Sequence, residues 1–366
     1  MDLPSSLTWL IDEAGAMESA DRFLTALGAR LKSDGLPLAG GALTLAAPHP
    51  IIARRTWLWQ AETGAVIEAL GFGALGLTRP EPGDVGRDWL AELGTGIMHE
   101  TIAAPQGHDT AMAESPRLAW AFSRPLTAAE ASLLHEAARF AAAPLAALVT
   151  RATLAALLET YLGRRSAAQV LNGRLRRAAG ETIRAVLLYG DLRGFTELSE
   201  TMAPTAVVAA LDAWFDRIAG AVHAFGGEVL KFIGDGVLAI FPLGDRPPAA
   251  ACDAALRAIA AARAGMKRLD EERGRQGLPP LPFGMAVHMG DMLWGNIGTA
   301  DRLDFTAIGP AVNLVVRLEG LCKPLGHNVL VSDAVAAETA TALSPLGPHR
   351  LRGIAAPCTV FALPES

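Results

Sequence analysis

Cysteine is scarce in this 366-residue chain: Cys252, Cys322 and Cys358 are its three examples, far apart. They form no metal-ligand spacing, and an odd count argues against a disulfide framework. Long apolar runs are missing as well. No window reaches about 18 uninterrupted apolar residues, the length a membrane span requires. The most apolar stretch, Phe140 to Thr150, is short and contains Pro144. The first residues, Met1-Asp2-Leu3-Pro4-Ser5-Ser6, have neither the basic region nor the apolar core of a signal peptide. The sequence has no internal repeat and no low-complexity tract. Positive charge is not in excess: the net charge of −6 gives no general reason to expect a nucleic-acid partner. These absences predict a cytoplasmic protein in a reducing compartment, without membrane insertion.

What is present is a compact, helix-rich composition. Hydrophobic residues make up 51% of the chain and mean hydropathy is +0.28, with much of it from alanine, leucine and glycine. The length favours two domains, with three as the alternative. Residues 1–143 mix signals. Leu7 to Leu31 has helical periodicity, and Arg55-Thr56-Trp57-Leu58-Trp59-Gln60 alternates like a half-buried strand. Shorter strand candidates lie at Gly71 to Leu77, Gly96 to Ile102 and Leu118 to Phe122, with a turn at Pro80-Glu81-Pro82-Gly83-Asp84. This order predicts an α+β domain. Thr127 followed by Glu130 reads as a capping box opening a long helix. Pro144 is positioned to kink that helix, Gly163 to end it, and Ala167 to Ala179 to form a second helical piece. Residues 144–182 are thus expected to connect the first domain to a second, 183–366.

That second domain carries the chemistry. An apolar strand, Ile183 to Tyr189, ends at Gly190-Asp191. A second acid, Asp235, sits in Gly234-Asp235-Gly236 between two apolar runs, the pattern of a hairpin turn. A strand end and a hairpin turn can place two carboxylates on one sheet edge. Hard oxygen ligands so placed suit Mg²⁺, which keeps waters and bridges to substrate phosphates. Between and after the acids come helices at Ala206–Phe225, Ala249–Arg273 and Ala311–Leu321. Strands are expected at Phe283–Val287 and Met292–Ile297, flanking Gly290-Asp291, then at Asn328–Val331 and Cys358–Leu363. The β-α-β-β-α-β order is that of a ferredoxin-like core.

Three further groups stand out. Lys231 lies four residues before Asp235, on the same face if the strand stays regular to the turn. Asn313 and Arg317 are four apart and share one helix face; an amide and a guanidinium so placed can orient a ribose and hold charge on phosphate. Arg352, in Leu351-Arg352-Gly353, is another possible phosphate contact.

Asp191-Leu192-Arg193-Gly194-Phe195-Thr196, Lys231-Phe232-Ile233-Gly234-Asp235, His288-Met289-Gly290 with Gly295-Asn296-Ile297-Gly298, and Gly309 through Asn313 to Arg317-Leu318-Glu319 together resemble the motifs of the class III nucleotidyl cyclases, in the right order. The resemblance covers about the last half of the chain. It implies that Asp191 and Asp235, with the backbone carbonyl of Leu192, hold two Mg²⁺ or Mn²⁺ ions. It implies that Lys231 and Thr306 read adenine, with Phe195, Thr196 and Arg352 also on the substrate. Asn313 would position the ribose, and Arg317 would stabilise charge at the α-phosphate. In that family the metal acids come from one subunit and the other residues from its partner, so ATP as substrate and a homodimer are implied. The expected activity is conversion of ATP to 3′,5′-cyclic AMP and pyrophosphate.

Two departures are visible. Where some members carry a phosphate-touching Arg before His-x-Gly, this chain has Gly284, and Pro310 follows Gly309. Pro at a first helical turn is well tolerated. The first domain resembles, more loosely, the GAF-type sensor modules that precede bacterial cyclases, which implies a small-molecule effector; His99, His108 and His135 there have no spacing that asks for a metal. The rivals are a guanylate cyclase, disfavoured because Lys231 cannot accept guanine's N1–H and 2-amino donors, and a catalytically silent nucleotide-binding module.

Overall fold

The computed structural model describes residues 3–46, 52–72, 85–94, 96–101, 116–174, 180–299 and 301–364. The chain divides into two compact units, Met1–Tyr161 and Leu162–Ser366.

In the first unit the helices α1 (Ser5–Asp12) and α2 (Ala20–Ser33) precede strands β1 (Leu38–Ala46), β2 (Ile52–Gln60) and β3 (Val66–Phe72). Helix α3 (Val85–Leu93), strands β4 (Gly96–Thr101) and β5 (Arg117–Phe122) and helix α4 (Ala128–Leu162) follow. The five strands form one antiparallel sheet in the order β3-β2-β1-β5-β4. Apolar residues of α2 recur at Phe23, Leu24, Leu27 and Leu31, the helical spacing that buries one face. They meet Leu43, Trp59 and Trp120 of the sheet in one core. The opposite sheet face is built from small residues, Ala42, Ala119 and Ala121, under Leu90 of α3. This is an α+β unit.

Helix α4 begins at the expected capping box. The backbone N–H of Thr127 donates to Glu130 Oε2 at 2.8 Å, and that of Glu130 donates to Thr127 Oγ1 at 3.3 Å. Arg124 adds a two-pronged ion pair to Glu130 at 2.7 and 3.0 Å, and together these hold the Glu130 carboxyl down to about 2. The helix runs as one element past Pro144, which lies buried inside it, to Leu162. Its stripe Leu134, Ala137, Ala141, Leu145 and Leu148 packs into the core of the unit. By length and composition alone α4 could also cross a membrane; the packed stripe accounts for its apolar first half. Beyond Leu148 no residue of α4 is buried, and Leu154, Leu157 and Tyr161 are exposed.

The second unit opens with α5 (Arg164–Leu171), which starts three residues earlier than the expected second helical piece and stops at Leu171, with residues 175–179 outside the described set. Gly163, at a φ of 79°, separates it from α4. Then come β6 (Gly180–Leu192), α6 (Phe195–Thr201), α7 (Pro204–Ala224), β7 (Glu228–Ile233), β8 (Gly236–Pro242) and α8 (Pro248–Arg275). They are followed by β9 (Phe283–Gly298), β10 (Leu303–Ile308), α9 (Pro310–Glu319), α10 (Cys322–Leu325), β11 (Val329–Ser332), α11 (Asp333–Ala336), β12 (Ser344–His349) and β13 (Cys358–Ala362). The sheet runs β12-β13-β11-β9-β6-β8-β7, with β10 paired to β9. Its β9-β6-β8-β7 centre, crossed by α7 and α8, is the ferredoxin-like order expected.

The packing of the central strand β6 explains why its sequence is continuously apolar. Val186 and Leu188 face the core under α7 and α8, with Trp214, Phe241 and Ile259. Leu187 and Tyr189 face the other way, toward Val315 and Leu318 of α9. Both faces are covered, so alternation disappears.

Gly290-Asp291 does not interrupt the sheet as expected. β9 is one 16-residue strand because β6 pairs along its whole length, from Gly180↔Gly295 through Ala185↔Gly290 to Leu192↔Phe283. With ladder hydrogen bonds available on that side, the Gly–Asp pair has no reason to turn. Strands β10 and β12 are further elements that the sequence pattern did not single out.

Candidate active site

Asp191 sits at the end of β6, on the same face as Leu187 and Tyr189 by strand alternation. Asp235 occupies the two-residue turn between β7 and β8, whose closing pair is Ile233↔Gly236. Gly234 takes a φ of 63°, the left-handed conformation that such a turn requires. The indole N–H of Trp214, in α7, donates to the Asp235 carbonyl at 2.9 Å and pins the turn to the helix layer.

The two carboxyls meet at this edge. Burial foremost, then the adjoining Asp235 carboxyl and the charge of Glu319, push Asp191 up to about 7. Asp191 Oδ1 is buried and receives no hydrogen bond. An orphaned carboxylate oxygen, facing a second carboxylate under partial burial, fits a divalent cation. Among the described residues no group of three or more His, Cys, Asp or Glu is arranged for a metal. Protein would supply few ligands, which suits an ion that completes its shell with water and phosphate. Leu192 follows Asp191 with its side chain buried in the core, so only its backbone is placed for such a role. In α6, Phe195 packs partly against the core and Thr196 is exposed.

Lys231 does not behave as the simple period-two reading predicts. The register shifts between Val229 and Lys231, β7 ends at Ile233, and the Lys231 ammonium forms an ion pair with Asp304 of β10. Thr306 lies two residues after Asp304, so both fall on one side of β10. Asn313 and Arg317 are both on the open side of α9, while Ala311, Val315 and Leu318 bury its other face. Gly309, at a φ of 137°, precedes the helix and Pro310 occupies its first turn. Arg352 is exposed beside buried Leu351. The structure therefore brings together Asp191 with Asp235, and Lys231 with the strand carrying Thr306.

Three residues near these groups were not singled out by sequence reasoning: Tyr189, Asp304 and Glu319. Each lies two positions from a residue that was, so period-two alternation along a strand was a usable signal for the first two. Glu319, at the end of α9, is raised by burial and sits in the fields of Arg193 and Asp235. It also explains Gly284. A Cβ at 284 would collide with Glu319 Oε1, so the space a side chain there would need is filled by a carboxylate. Arg193 is held by its own bond from Nη2 to the His327 carbonyl at 2.6 Å. His288 is a packing residue: its Nδ1 is 2.9 Å from the buried Ser332 hydroxyl, and burial lowers its pKa. Of the first unit's histidines, His108 and the His99 side chain lie outside the described residues.

Residues 179–362, half of the chain, match the family described as the adenylate and guanylate cyclase catalytic domain. An adenylate cyclase of Anabaena cylindrica is 34% identical over 161 residues, covering 43% of this chain and 31% of that protein. Adenylate cyclase 1 of Rhizobium meliloti is 33% identical over 170 residues, covering 45% of this chain and 25% of that protein. The chain thus spans about a third or less of the length of these relatives. A solved bacterial light-regulated adenylyl cyclase matches with a TM-score of 0.51 and 25% identity, over 60% of this chain and 64% of that one. With the ferredoxin-like sheet, the paired carboxylates and this match in hand, the chain belongs to the adenylate and guanylate cyclase catalytic domain family.

Proposed function

We propose that the second unit is an adenylate cyclase, converting ATP to 3′,5′-cyclic AMP and pyrophosphate, and that the first unit regulates it. The observation that carries this reading is the Asp191–Asp235 carboxyl pair with its unpartnered buried oxygen. The Anabaena and Rhizobium relatives, both above 30% identity, carry the name adenylate cyclase.

In this reading Asp191 and Asp235 would hold two divalent cations, Mg²⁺ or Mn²⁺, which would supply activation of the ribose 3′-hydroxyl and charge neutralisation for the triphosphate. Asn313 orients the ribose so that the 3′-oxygen faces the α-phosphorus. As the bond from the 3′-oxygen to the α-phosphorus forms, the 3′-hydroxyl proton passes to solvent and the bond from the α-phosphorus to pyrophosphate breaks, the Arg317 guanidinium stabilises the negative charge that builds on the α-phosphate. Arg352, Phe195 and Thr196 bind the rest of the substrate. Lys231 gives one of its three ammonium hydrogens to Asp304 and keeps two for acceptors on the adenine ring. Thr306, on the same side of β10, completes the base pocket. The placement of Asn313 and Arg317 on the open side of α9 is consistent with their serving a second copy of the chain, so the working species is a homodimer with two equivalent sites. The protein is expected to act in the cytoplasm, with a small molecule as effector of the GAF-like first unit.

The decisive experiment is to incubate purified protein with ATP or GTP and Mn²⁺ and measure cyclic nucleotide. Cyclic AMP formed in preference to cyclic GMP supports the reading; cyclic GMP alone, or no product with nucleotide bound, rejects it.

A further inference from the structure

Tyr189 lies two residues before Asp191 and shares its face of β6. It is 8% exposed, buried under α9 with its hydroxyl directed at the hairpin that carries Asp235. A Cβ on Gly236 would collide with that hydroxyl, which fixes where the oxygen sits: against the residue after Asp235. The phenol also lies in the fields of Asp191, Glu319 and Asp235. Asp191 Oδ1, buried nearby, receives no hydrogen bond. A phenol donor and an unpaired carboxylate acceptor thus stand in one small region, and a buried acceptor costs free energy while it stays unpaired.

We propose that Tyr189 is a positioning residue for the metal carboxylates, its hydroxyl donating a hydrogen bond to the Asp191–Asp235 pair when a divalent cation is held there. Ligating carboxylates are oriented by hydrogen bonds from outside the coordination shell, and such donors set metal affinity. Few other donors are on hand. Arg193 gives Nη2 to the His327 carbonyl, its Nε stays buried without a partner on the Glu319 side, and the Trp214 N–H is committed to the Asp235 main chain. A phenol hydroxyl is a hydrogen-bond donor at neutral pH. Gly236 is then required at its position because any side chain would push the hydroxyl aside.

The proposal rests on the two-metal reading above, and the test separates them. Mn²⁺ binding to the full chain is followed by electron paramagnetic resonance, in the presence of α,β-methylene-ATP, which cannot react. Tyr189→Phe is expected to weaken Mn²⁺ binding about 10-fold, the lower end for loss of such a donor. The Mn²⁺ concentration giving half-maximal turnover of ATP rises in step, while KM for ATP at saturating metal stays put. Gly236→Ala keeps the phenol but displaces its hydroxyl, and is expected to weaken Mn²⁺ binding too. Adding it to Tyr189→Phe should then cost less than the two separate losses combined. If Tyr189→Phe melts normally and binds Mn²⁺ as the parent does, the proposal is overturned. If that variant does not fold, unchanged Mn²⁺ affinity in folded Gly236→Ala overturns it equally. If Asp191→Ala itself leaves Mn²⁺ binding intact, the two-metal reading falls and takes this proposal with it.

Discussion

Lys231 and Asp304, 73 residues apart in the chain, form an ion pair that joins the hairpin strand β7 to β10. The pair is partly exposed, at 33% and 60% for the two side chains, so its contribution to stability is at most about 1 kcal/mol. Its consequence is geometric. Asp304 fixes the direction of the ammonium that is proposed to read adenine. Asp304→Asn is expected to raise KM for ATP about 5-fold, the equivalent of about 1 kcal/mol, with kcat less affected. Lys231→Glu with Thr306→Cys should lower the ratio of kcat/KM for ATP over GTP, because the pocket's donors and acceptors then no longer match adenine. Steady-state kinetics with both nucleotides checks this, and equal kcat/KM for ATP and GTP in the parent enzyme would sink the roles of Lys231 and Thr306.

A second prediction concerns the acids. Asp191→Ala and Asp235→Ala should each lower kcat by about 1000-fold or more, the scale set by removing a group that stabilises transition-state charge, while circular dichroism shows the fold retained. The metal-free protein should respond in the opposite sense. Asp191 is raised to about 7 in the fold and takes its ordinary value of 3.8 when unfolded. Between these values the folded state binds the extra proton, so stability falls as pH rises toward 7. Asp191→Asn removes that loss. In EDTA at pH 8 its Tm should exceed the parent's by about 2–4 °C, what about 1 kcal/mol is worth in a unit of this size, and the gain should vanish near pH 4. A variant less stable than the parent at pH 8 would show that the Asp191 charge is not penalised.

Much of this site was legible in the sequence because it depends on local patterns. An apolar strand ending in Gly190-Asp191 and a Gly234-Asp235-Gly236 hairpin need no long-range information. Neither does the helical spacing of Asn313 and Arg317. What escaped depends on which strands lie side by side. Nothing local distinguishes Gly290-Asp291 from a turn; β6 pairing across it makes the strand continuous. Asp304 reads as a surface acid until β10 is placed beside Lys231. Glu319 reads as a helix-end acid until Gly284 is found beneath it. Pro144 does not end the helix, because the stripe from Leu134 to Leu148 is packed on both sides of it. Local chemistry is periodic and therefore readable, whereas cross-strand neighbours are set by topology.

Shared sites give a third prediction. Asp191→Ala lacks a metal ligand and Arg317→Ala lacks the charge on the α-phosphate, so each alone should be nearly inactive. In a two-fold homodimer, exchange of the two variants rebuilds one intact site per mixed dimer, from the metals of one subunit and Arg317 of the other. With random exchange half of the dimers are mixed, so activity should return to about a quarter of the parent's. Native mass spectrometry counts the mixed dimers. Their presence without recovered activity would show that each site is built within one chain.

The last prediction concerns how the first unit could act on the second. Helix α4 starts at the Thr127–Glu130 capping box and packs into the first unit's core as far as Leu148. From Thr150 to Leu162 no residue is fully buried, yet Leu154, Leu157 and Tyr161 recur at the 3–4 spacing of a helix seam, with Tyr161 82% exposed. In the proposed homodimer two such seams would be free to pair. Past Gly163, α5 is fastened to the start of β7 by the forked Arg165–Glu228 pair, with both bonds at 2.9 Å. That strand carries Lys231 and leads into Asp235. If the first unit regulates the second, as proposed, a change in the helix pair would reach the site along this segment, and an effector would act through its difference in affinity for the two arrangements. Inserting one residue at Gly163 turns the downstream chain by about 100° relative to the helix and should change kcat several-fold. Deleting residues 1–126 should change it as well. Arg165→Ala should leave dimer affinity intact but reduce the response to the insertion. If cyclase activity and dimer affinity are the same in the parent, the deletion and the insertion, the first unit is not a regulator through this helix.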